Sequence, residues 1–327
     1  MRTFARWTLL GMLILSTLML AGCGGDSPSP TLAQPPVEAK TLKIAVIPVI
    51  DILPLHVADQ EGFFDQVGVD VELVPVKSAQ ERDTLMQTGQ VDGMLTDLLS
   101  PVLFDQKEAQ ITVVRTARRV YPGSPVFSIL ARPGSEIASP LDLAGVEIGT
   151  AQNTVIAYIT ERMLENEGLS TDRIASQEVS AIPVRFELLV NGGIPAATLP
   201  DPLASGAVAA GAVLVVDDTT VPELSQSILA FSTETLQAEP EAVRKFLAAW
   251  EMAVEELNSN PEKYNDLLIE KGRVPESIQG TFRMPPFPRA SVPTPAQLAD
   301  VVKWSIDKGL IEEDIPYERM VDDDYLP

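Results

Sequence analysis

Short apolar runs alternate with longer mixed segments from Leu42 onward, and their order predicts an α/β protein built of βαβ units with a mainly parallel sheet. Leu42–Ile47 reads as an apolar strand, followed by a proline-bracketed loop (Pro48–Pro54) and a helix from Pro54 to Phe63 that stops near Gly62. Val69–Val76 is the second strand, and Ser78-Ala79-Gln80-Glu81 has the form of a capping box that opens a helix ending at Gly89. Strand Val91–Leu95, a helix from about Asp97 to Gln106, and strands Ile111–Thr116 and Phe127–Ala131 complete a first series. At Ser139 the pattern restarts, with Ser139 as N-cap, Pro140 at the first helical position and Gly145 as the stop. The second series is strand Val146–Gly149, helix Asn153–Glu167, strand Gln177–Val179, helix Pro183–Val190, strand Ala196–Leu199, helix Pro202–Ala210 and strand Ala212–Val216. Ser227–Ser232 is the strand that leads back out.

The remainder reads as helical. Glu239–Asn258 places Val243, Phe246, Leu247, Trp250, Val254 and Leu257 on one face, an amphipathic pattern. Thr294-Pro295-Ala296-Gln297 caps a second long helix carrying Leu298, Val301, Val302 and Ile306, and the proline-rich Phe282–Pro295 lies between the two. Leu85–Val91 and Leu188–Ile194 share an order of helix end, glycine stop and strand, each closing on a polar turn (Thr96-Asp97 and Pro200-Asp201). With the restart at Ser139, this weak repeat points to two similar α/β lobes.

The first residues change the picture. Arg2 and Arg6 precede an apolar run, Leu9–Leu20, that is short for a membrane span and ends in small residues, as a secretory signal does. Leu20-Ala21-Gly22-Cys23 resembles the bacterial lipobox, in which the cysteine is diacylated and becomes the mature N-terminus. Residues 1–22 are therefore expected to be a lipoprotein signal peptide, and Cys23 a lipid anchor that holds the protein to a membrane without spanning it. Gly24–Lys40 is rich in Gly, Ser and Pro with no apolar period, so residues 23–40 are expected to be a disordered tether. Cys23 is the only cysteine, which rules out a disulfide framework and a thiolate metal site.

The chain has 327 residues, enough for two domains of common size. Its formal charge is −22, and loss of Arg2 and Arg6 with the signal takes it to −24. Such acidity disfavours nucleic acid and anionic lipid surfaces. It serves solubility and does not make the ligand a cation.

In residues and order the chain resembles the periplasmic-type substrate-binding proteins of ABC importers, in the nitrate, sulfonate, taurine and thiamine-precursor group. The resemblance is carried by the lipobox, Asp51–Ala58 followed by Glu61-Gly62-Phe63-Phe64, Gly68-Val69-Asp70-Val71-Glu72, Thr88-Gly89-Gln90-Val91-Asp92, Ser139–Gly145 and Glu241–Leu247. It spans essentially all of Leu42–Ile311 and implies a two-lobed periplasmic-binding-protein fold of type II with two hinge crossings. Lobe 1 would be residues 41–133 plus 227–327 and lobe 2 residues 134–226, with Phe127–Arg132 and Ser227–Ser232 as hinge-side strands. It also implies a monomer, anchored outside the cytoplasm on the periplasmic or outer face, that delivers a small molecule to permease and ATPase subunits. Closure on the ligand would be a hinge motion.

In this geometry a ligand meets loops at the carboxyl ends of strands and the N-termini of helices. The candidates are Asp51 and Leu53 in the first loop, Thr96 and Asp97 after the third strand, Gln152, Asn153 and Thr154 at the opening of the long second-lobe helix, and Asp201. Asp51, Asp97 and Asp201 can equally be helix caps. The exposed N–H groups at Gln152–Thr154 would suit an anion or a polar ligand atom. The apolar loop Val49–Leu53 with its single acid leans towards an organic molecule bearing a donor group. His56 is expected in packing or at the surface, Arg115, Arg118 and Arg119 at a solvated strand end, Trp250 and Trp304 packed on a lobe, and Asp217-Asp218 and Asp322–Asp324 in solvated turns rather than a calcium site.

No dinucleotide fingerprint, phosphate loop, H-E-x-x-H or nucleophile elbow is present, and one histidine with an acylated cysteine leaves no zinc cluster. The expectation is a binding protein with no cofactor and no metal. Two alternatives stand beside it: a ligand-sensing subunit of a membrane receptor, and an enzyme on the same fold of pyrimidine-precursor or menaquinone-pathway type.

Overall fold

A computed structural model describes residues 41–104 and 110–327. The signal segment, Cys23 and the tether, and the end of the helix expected to reach Gln106, lie outside the described residues. Among the described residues no helix is long and apolar enough to cross a membrane.

The first series folds as β1 (Leu42–Val46), a 3-10 turn at Ile50–Ile52, α1 (Leu53–Gln60), α2 (Phe63–Val67), β2 (Val71–Pro75), α3 (Ala79–Gln87), β3 (Gly93–Thr96), α4 (Leu99–Phe104) and β4 (Ile111–Arg119). Gly62 adopts φ 69°, in the left-handed region that suits glycine, so the helix expected from Pro54 to Phe63 breaks there and restarts as α2. Ser78 caps α3 as expected: its side chain accepts from the Glu81 N–H, and the Glu81 carboxylate accepts from Lys77 N at 2.8 Å. The second series follows as β5 (Phe127–Ala131), β6 (Glu147–Thr150), α5 (Val155–Asn166), β7 (Ala175–Glu178), α6 (Ile182–Val190), β8 (Ala196–Pro200), α7 (Leu203–Ala209) and β9 (Val213–Asp217). Then come β10 (Gln226–Ser232), α8 (Thr233–Ala238), α9 (Pro240–Ser259), α10 (Asn265–Lys271), α11 (Pro295–Asp307) and α12 (Tyr317–Met320).

Two five-stranded sheets result, ordered β2-β1-β3-β10-β4 and β7-β6-β8-β5-β9. In each, three strands pair in parallel and one reversed strand is inserted beside them. β10 runs antiparallel to β3 and β4, and β5 antiparallel to β8 and β9. The sheets are thus mixed, and the reason is topological. Each reversed strand belongs to the sheet its chain has just crossed into, so it enters from the hinge side and runs against its neighbours.

This pairing corrects the strand assignment at the first boundary. β5 was expected with lobe 1 but sits inside the second sheet, which places the crossings at residues 120–126 and 218–225. Asp218, expected in a solvated turn, is buried and ties the crossings together. Its carboxylate accepts from Val126 N at 3.0 Å and Phe127 N at 2.8 Å.

The first lobe packs α1, α2 and α9 on its sheet. Phe64 stacks on Phe246 at 5.9 Å, Phe231 meets Phe246 edge-on at 5.5 Å, and Trp250 is fully buried. The C-terminal segments also grip the second lobe. Trp304 of α11 lies edge-on to Tyr158 of α5 at 5.6 Å, and Asp300 accepts from Tyr158 Oη at 2.6 Å and Arg162 Nε at 2.9 Å. On another side Pro275 rests against Gly206 of α7, where a Cβ would come within 2.5 Å of the proline ring.

Candidate functional site

The carboxyl ends of β1, β3, β6, β7 and β8 point at one another across the crossings, where open α/β sheets hold ligands. Between them lies a cavity of about 100 Å³. Its lining comes from both lobes: Ile47 and Val49 after β1, Leu95–Asp97 at β3, and Gln226 and Ser227 at the start of β10 on one side, with Ala151, Ser180 and Pro200–Asp201 on the other. The first turns of α3, α5 and α6 also reach it, through Ser78–Gln80, Val155–Ile156 and Ile182. Their N–H groups give the walls a partial positive potential. A second chamber of about 570 Å³ shares Ile47, Val49, Ile182, Pro200 and Asp201 with the first and extends along Pro183, Val184, Phe186, Leu203 and Pro275.

Of the eight candidates, the structure brings Asp51, Thr96, Asp97, Thr154 and Asp201 to the inner cavity. Leu53, Gln152 and Asn153 do not line it. Leu53 opens α1 and is buried in the first-lobe core. Gln152 and Asn153 occupy an exposed turn, Asn153 at φ 55°, between the wall residues Ala151 and Thr154. The Gln152 N–H is directed to the Glu178 carboxylate at 2.7 Å, so it is not left open for a ligand.

The acids that do line the cavity are already committed. Asp51 Oδ1 lies 3.0 Å from Arg118 Nη1. Asp97 accepts from Leu99 N at 2.9 Å, capping α4, and stands 3.8 Å from Arg82 Nη2. Burial raises the Asp97 carboxyl above its ordinary range, against the pull of Arg82. Asp201 accepts from Ser205 N at 3.0 Å and Ser205 Oγ at 2.8 Å, capping α7, and burial raises it too. Thr154 donates to Ala151 O at 2.7 Å and accepts from Ile156 N at 3.3 Å. Helix capping, the other role open to Asp51, Asp97 and Asp201, holds for the last two. Asp51 instead serves an arginine.

Three arginines in the wall were not among the candidates: Arg82, Arg118 and Arg185. The expectation of a solvated strand end fails for Arg115 and Arg118, which are 0% and 2% exposed. β4 runs three residues past Thr116 and is covered by β10, by Pro288, whose carbonyl accepts from Arg115, and by Asp51. Arg115 pairs with Glu251 on the back of the first lobe, while Arg118 also donates to Pro125 O at 3.1 Å and so braces the first crossing. Arg119 alone of the three is exposed.

Arg185 is the most unusual group in the wall. It is 0% exposed, and its Nε and Nη1 donate to Thr198 O at 2.8 Å and Val179 O at 2.7 Å. Its Nη2 has no partner, and no carboxylate lies within ion-pair distance among the described residues. Burial pulls this guanidinium down to about 10, with Glu178 opposing at longer range, so it stays charged at neutral pH. Its signal in the sequence is a single cation inside the apolar helix Ile182-Pro183-Val184-Arg185-Phe186. The Thr96 and Ser227 hydroxyls on the facing lobe are likewise buried without partners.

Known proteins share this architecture. The alkanesulfonate-binding protein SsuA from Xanthomonas axonopodis pv. citri bound to MOPS superposes with a TM-score of 0.71 at 18% identity, covering 86% of this chain and 98% of that one. The periplasmic nitrate-binding protein NrtA from Synechocystis PCC 6803 superposes at 0.70 with 14% identity over 88% and 87% of the two chains. The riboflavin-binding protein RibY of Chloroflexus aurantiacus is 24% identical over 298 residues, which is 84% of this chain and 80% of RibY. The fold is that of the periplasmic binding proteins. Residues 49–264 match the NMT1/THI5-like family model, and the chain belongs to that family.

Proposed function

We propose that this protein is an extracytoplasmic solute-binding protein, held to the membrane through a lipid on Cys23, that captures a small organic molecule between its lobes and hands it to the permease and ATPase subunits of an ABC importer. The observation that carries the reading is the cavity at the facing carboxyl ends of two sheets, lined from both lobes and braced at both crossings. Such a site is completed only when the lobes come together, so ligand binding and closure are the same event. The lining carries hydroxyls, guanidinium groups and capped acids but no imidazole or thiol, which favours binding without turnover. RibY, SsuA and NrtA are named for riboflavin, alkanesulfonate and nitrate, a spread of ligands that supports the role and leaves the ligand to this chain's own residues.

Native mass spectrometry of the chain lacking residues 1–22, followed by small-angle scattering with and without the released compound, tests the reading. The expected result is a monomer that retains a small molecule and becomes more compact on binding. A chain that retains nothing and closes on no compound from a library of organic acids, sulfonates, amines, flavins and pyrimidines is not a solute-binding protein. Separately, Cys23→Ser should move the full-length protein from the membrane to the soluble fraction.

A further inference from the structure

The polar groups of the inner cavity divide into those with partners and those without. Asp51, Asp97 and Asp201 all spend oxygens on Arg118, Arg82 or helix N–H groups. Arg82 is further held by Ser100 at 2.5 Å and Asp83 at 2.9 Å. The buried groups left over are the Arg185 Nη2 from the second lobe and the Thr96 and Ser227 hydroxyls from the first. Arg185 Nη2 can only donate, and the hydroxyls can donate equally well. A buried guanidinium nitrogen left without a partner is costly, and an acceptor brought by a ligand removes that cost.

We propose that Arg185 is the ligand's anchor and that the ligand is an organic monocarboxylic acid with an apolar body, an assignment that rests on the solute-binding reading above. One carboxylate oxygen accepts from Arg185 Nη2, and the other accepts from the Thr96 and Ser227 hydroxyls. The head group thereby bridges the two lobes and couples binding to closure. A donor-bearing ligand, the expectation from the apolar loop around Asp51, loses its reason because Asp51 is taken by Arg118. Beside these groups, Ile47, Val49, Leu95, Phe127 and Ile182 offer apolar surface that gives no hydrogen bond to a bare inorganic anion and suits the body of an organic one. The body then lies in the larger chamber, against Ile182, Pro183, Phe186 and Leu203. At about 570 Å³ that chamber falls within the size range of pockets for organic ligands, and the inner cavity of about 100 Å³ does not.

Isothermal titration of the chain lacking residues 1–22 against aryl and alkyl monocarboxylates of graded length, each beside its amide and its amine, reads the assignment. The expected result is an acid that binds better than its amide, and an amine that does not bind. Arg185→Gln should weaken the acid by about tenfold to a hundredfold, the range for a hydrogen bond to a charged group. Arg185→Gln leaves the Thr198 and Val179 carbonyls short of a donor, so a loss of folding there shifts the reading to Thr96→Val and Ser227→Ala. Each of these removes an unpartnered hydroxyl and should weaken the acid by about threefold to tenfold. The assignment is overturned if no acid exceeds its amide, if an amine binds as well, or if the acid's affinity is unchanged in these variants. A co-purified compound without an acceptor oxygen would also overturn it while the solute-binding reading stands. If the wild type binds nothing at all, the solute-binding reading itself fails.

Discussion

The two lobes repeat one sheet order, with three parallel strands and one reversed strand next to the third, yet the walls they give the cavity are electrostatically different. On the first lobe every charged group is balanced nearby: Asp51 by Arg118, and Arg82 by Asp83 and Asp97. On the second lobe Arg185 is as deeply buried and is held only by two backbone carbonyls. The fold therefore repeats while the charge balance does not. The charges of the first wall are balanced within it, and the guanidinium of the second is not.

Breaking a balanced pair should cost more than removing the unbalanced cation. Asp51→Ala strands a buried Arg118 and should destabilise the protein by about 3–5 kcal/mol. Arg185→Met gives up two carbonyl bonds but relieves a buried charge, and should cost only about 1–2 kcal/mol. Urea unfolding of both variants, followed by far-UV circular dichroism, measures the difference. Equal losses would mean that Arg185 has a hidden partner and that the walls are alike.

The crossings are tied to each other by one acid. Asp218→Ala leaves Val126 N and Phe127 N without their acceptor and should cost about 1–3 kcal/mol. The pH dependence adds a signature. Burial pushes the Asp218 carboxyl up to about 6, against the hydrogen bonds that pull it down. Between about pH 4 and pH 6 the folded state thus holds a proton that the unfolded chain has released, so this residue's contribution to stability falls as pH rises through that window. Relative to Asp218→Asn, the wild type should lose about 1–3 kcal/mol between pH 4 and pH 7. A difference that grows with pH would assign the carboxylate the opposite role.

What the sequence made legible follows from period and punctuation. Ser78 before Glu81, Thr294-Pro295-Ala296-Gln297 and the apolar face Val243–Leu257 announced α3, α11 and α9 because caps and helical stripes are local signals. The strand ends where the cavity lies were legible for the same reason, and five of the eight candidates line it. What stayed hidden depends on pairing between distant segments. The burial of Arg118 requires β10 and Asp51, 67 positions away along the chain, to be in place. The membership of β5 in the second sheet, and the cross-tie of Asp218 to Val126, are likewise long-range facts that no local pattern encodes.

The strap from α10 to Phe282 connects the two lobes on another side. Gly206→Ala would bring a Cβ within 2.5 Å of Pro275 Cγ, and a proline ring cannot swing aside as a flexible chain end does. The strap must shift, at a cost of about 1–3 kcal/mol. Calorimetry should show a lowered Tm in the variant. An unchanged Tm would show that the strap is not seated on the second lobe in solution.

The smallest effect is the most discriminating. Thr96 Oγ1 is buried at the end of β3 without a partner, so Thr96→Val exchanges an unsatisfied hydroxyl for a methyl of similar shape. Removing such a group loses no bond, and the change in stability should lie within about 0.5 kcal/mol of zero or favour the variant. A buried hydroxyl that served the fold would cost more than that when removed. Measured in the absence of any added compound, near-zero destabilisation of Thr96→Val beside a large loss in Asp51→Ala would place both residues in the same wall with different duties, one holding the wall and the other buried without a partner. A loss above about 1 kcal/mol would mean that Thr96 already has a partner in the free protein, and the contrast between balanced and open groups would shrink to Arg185 and Ser227.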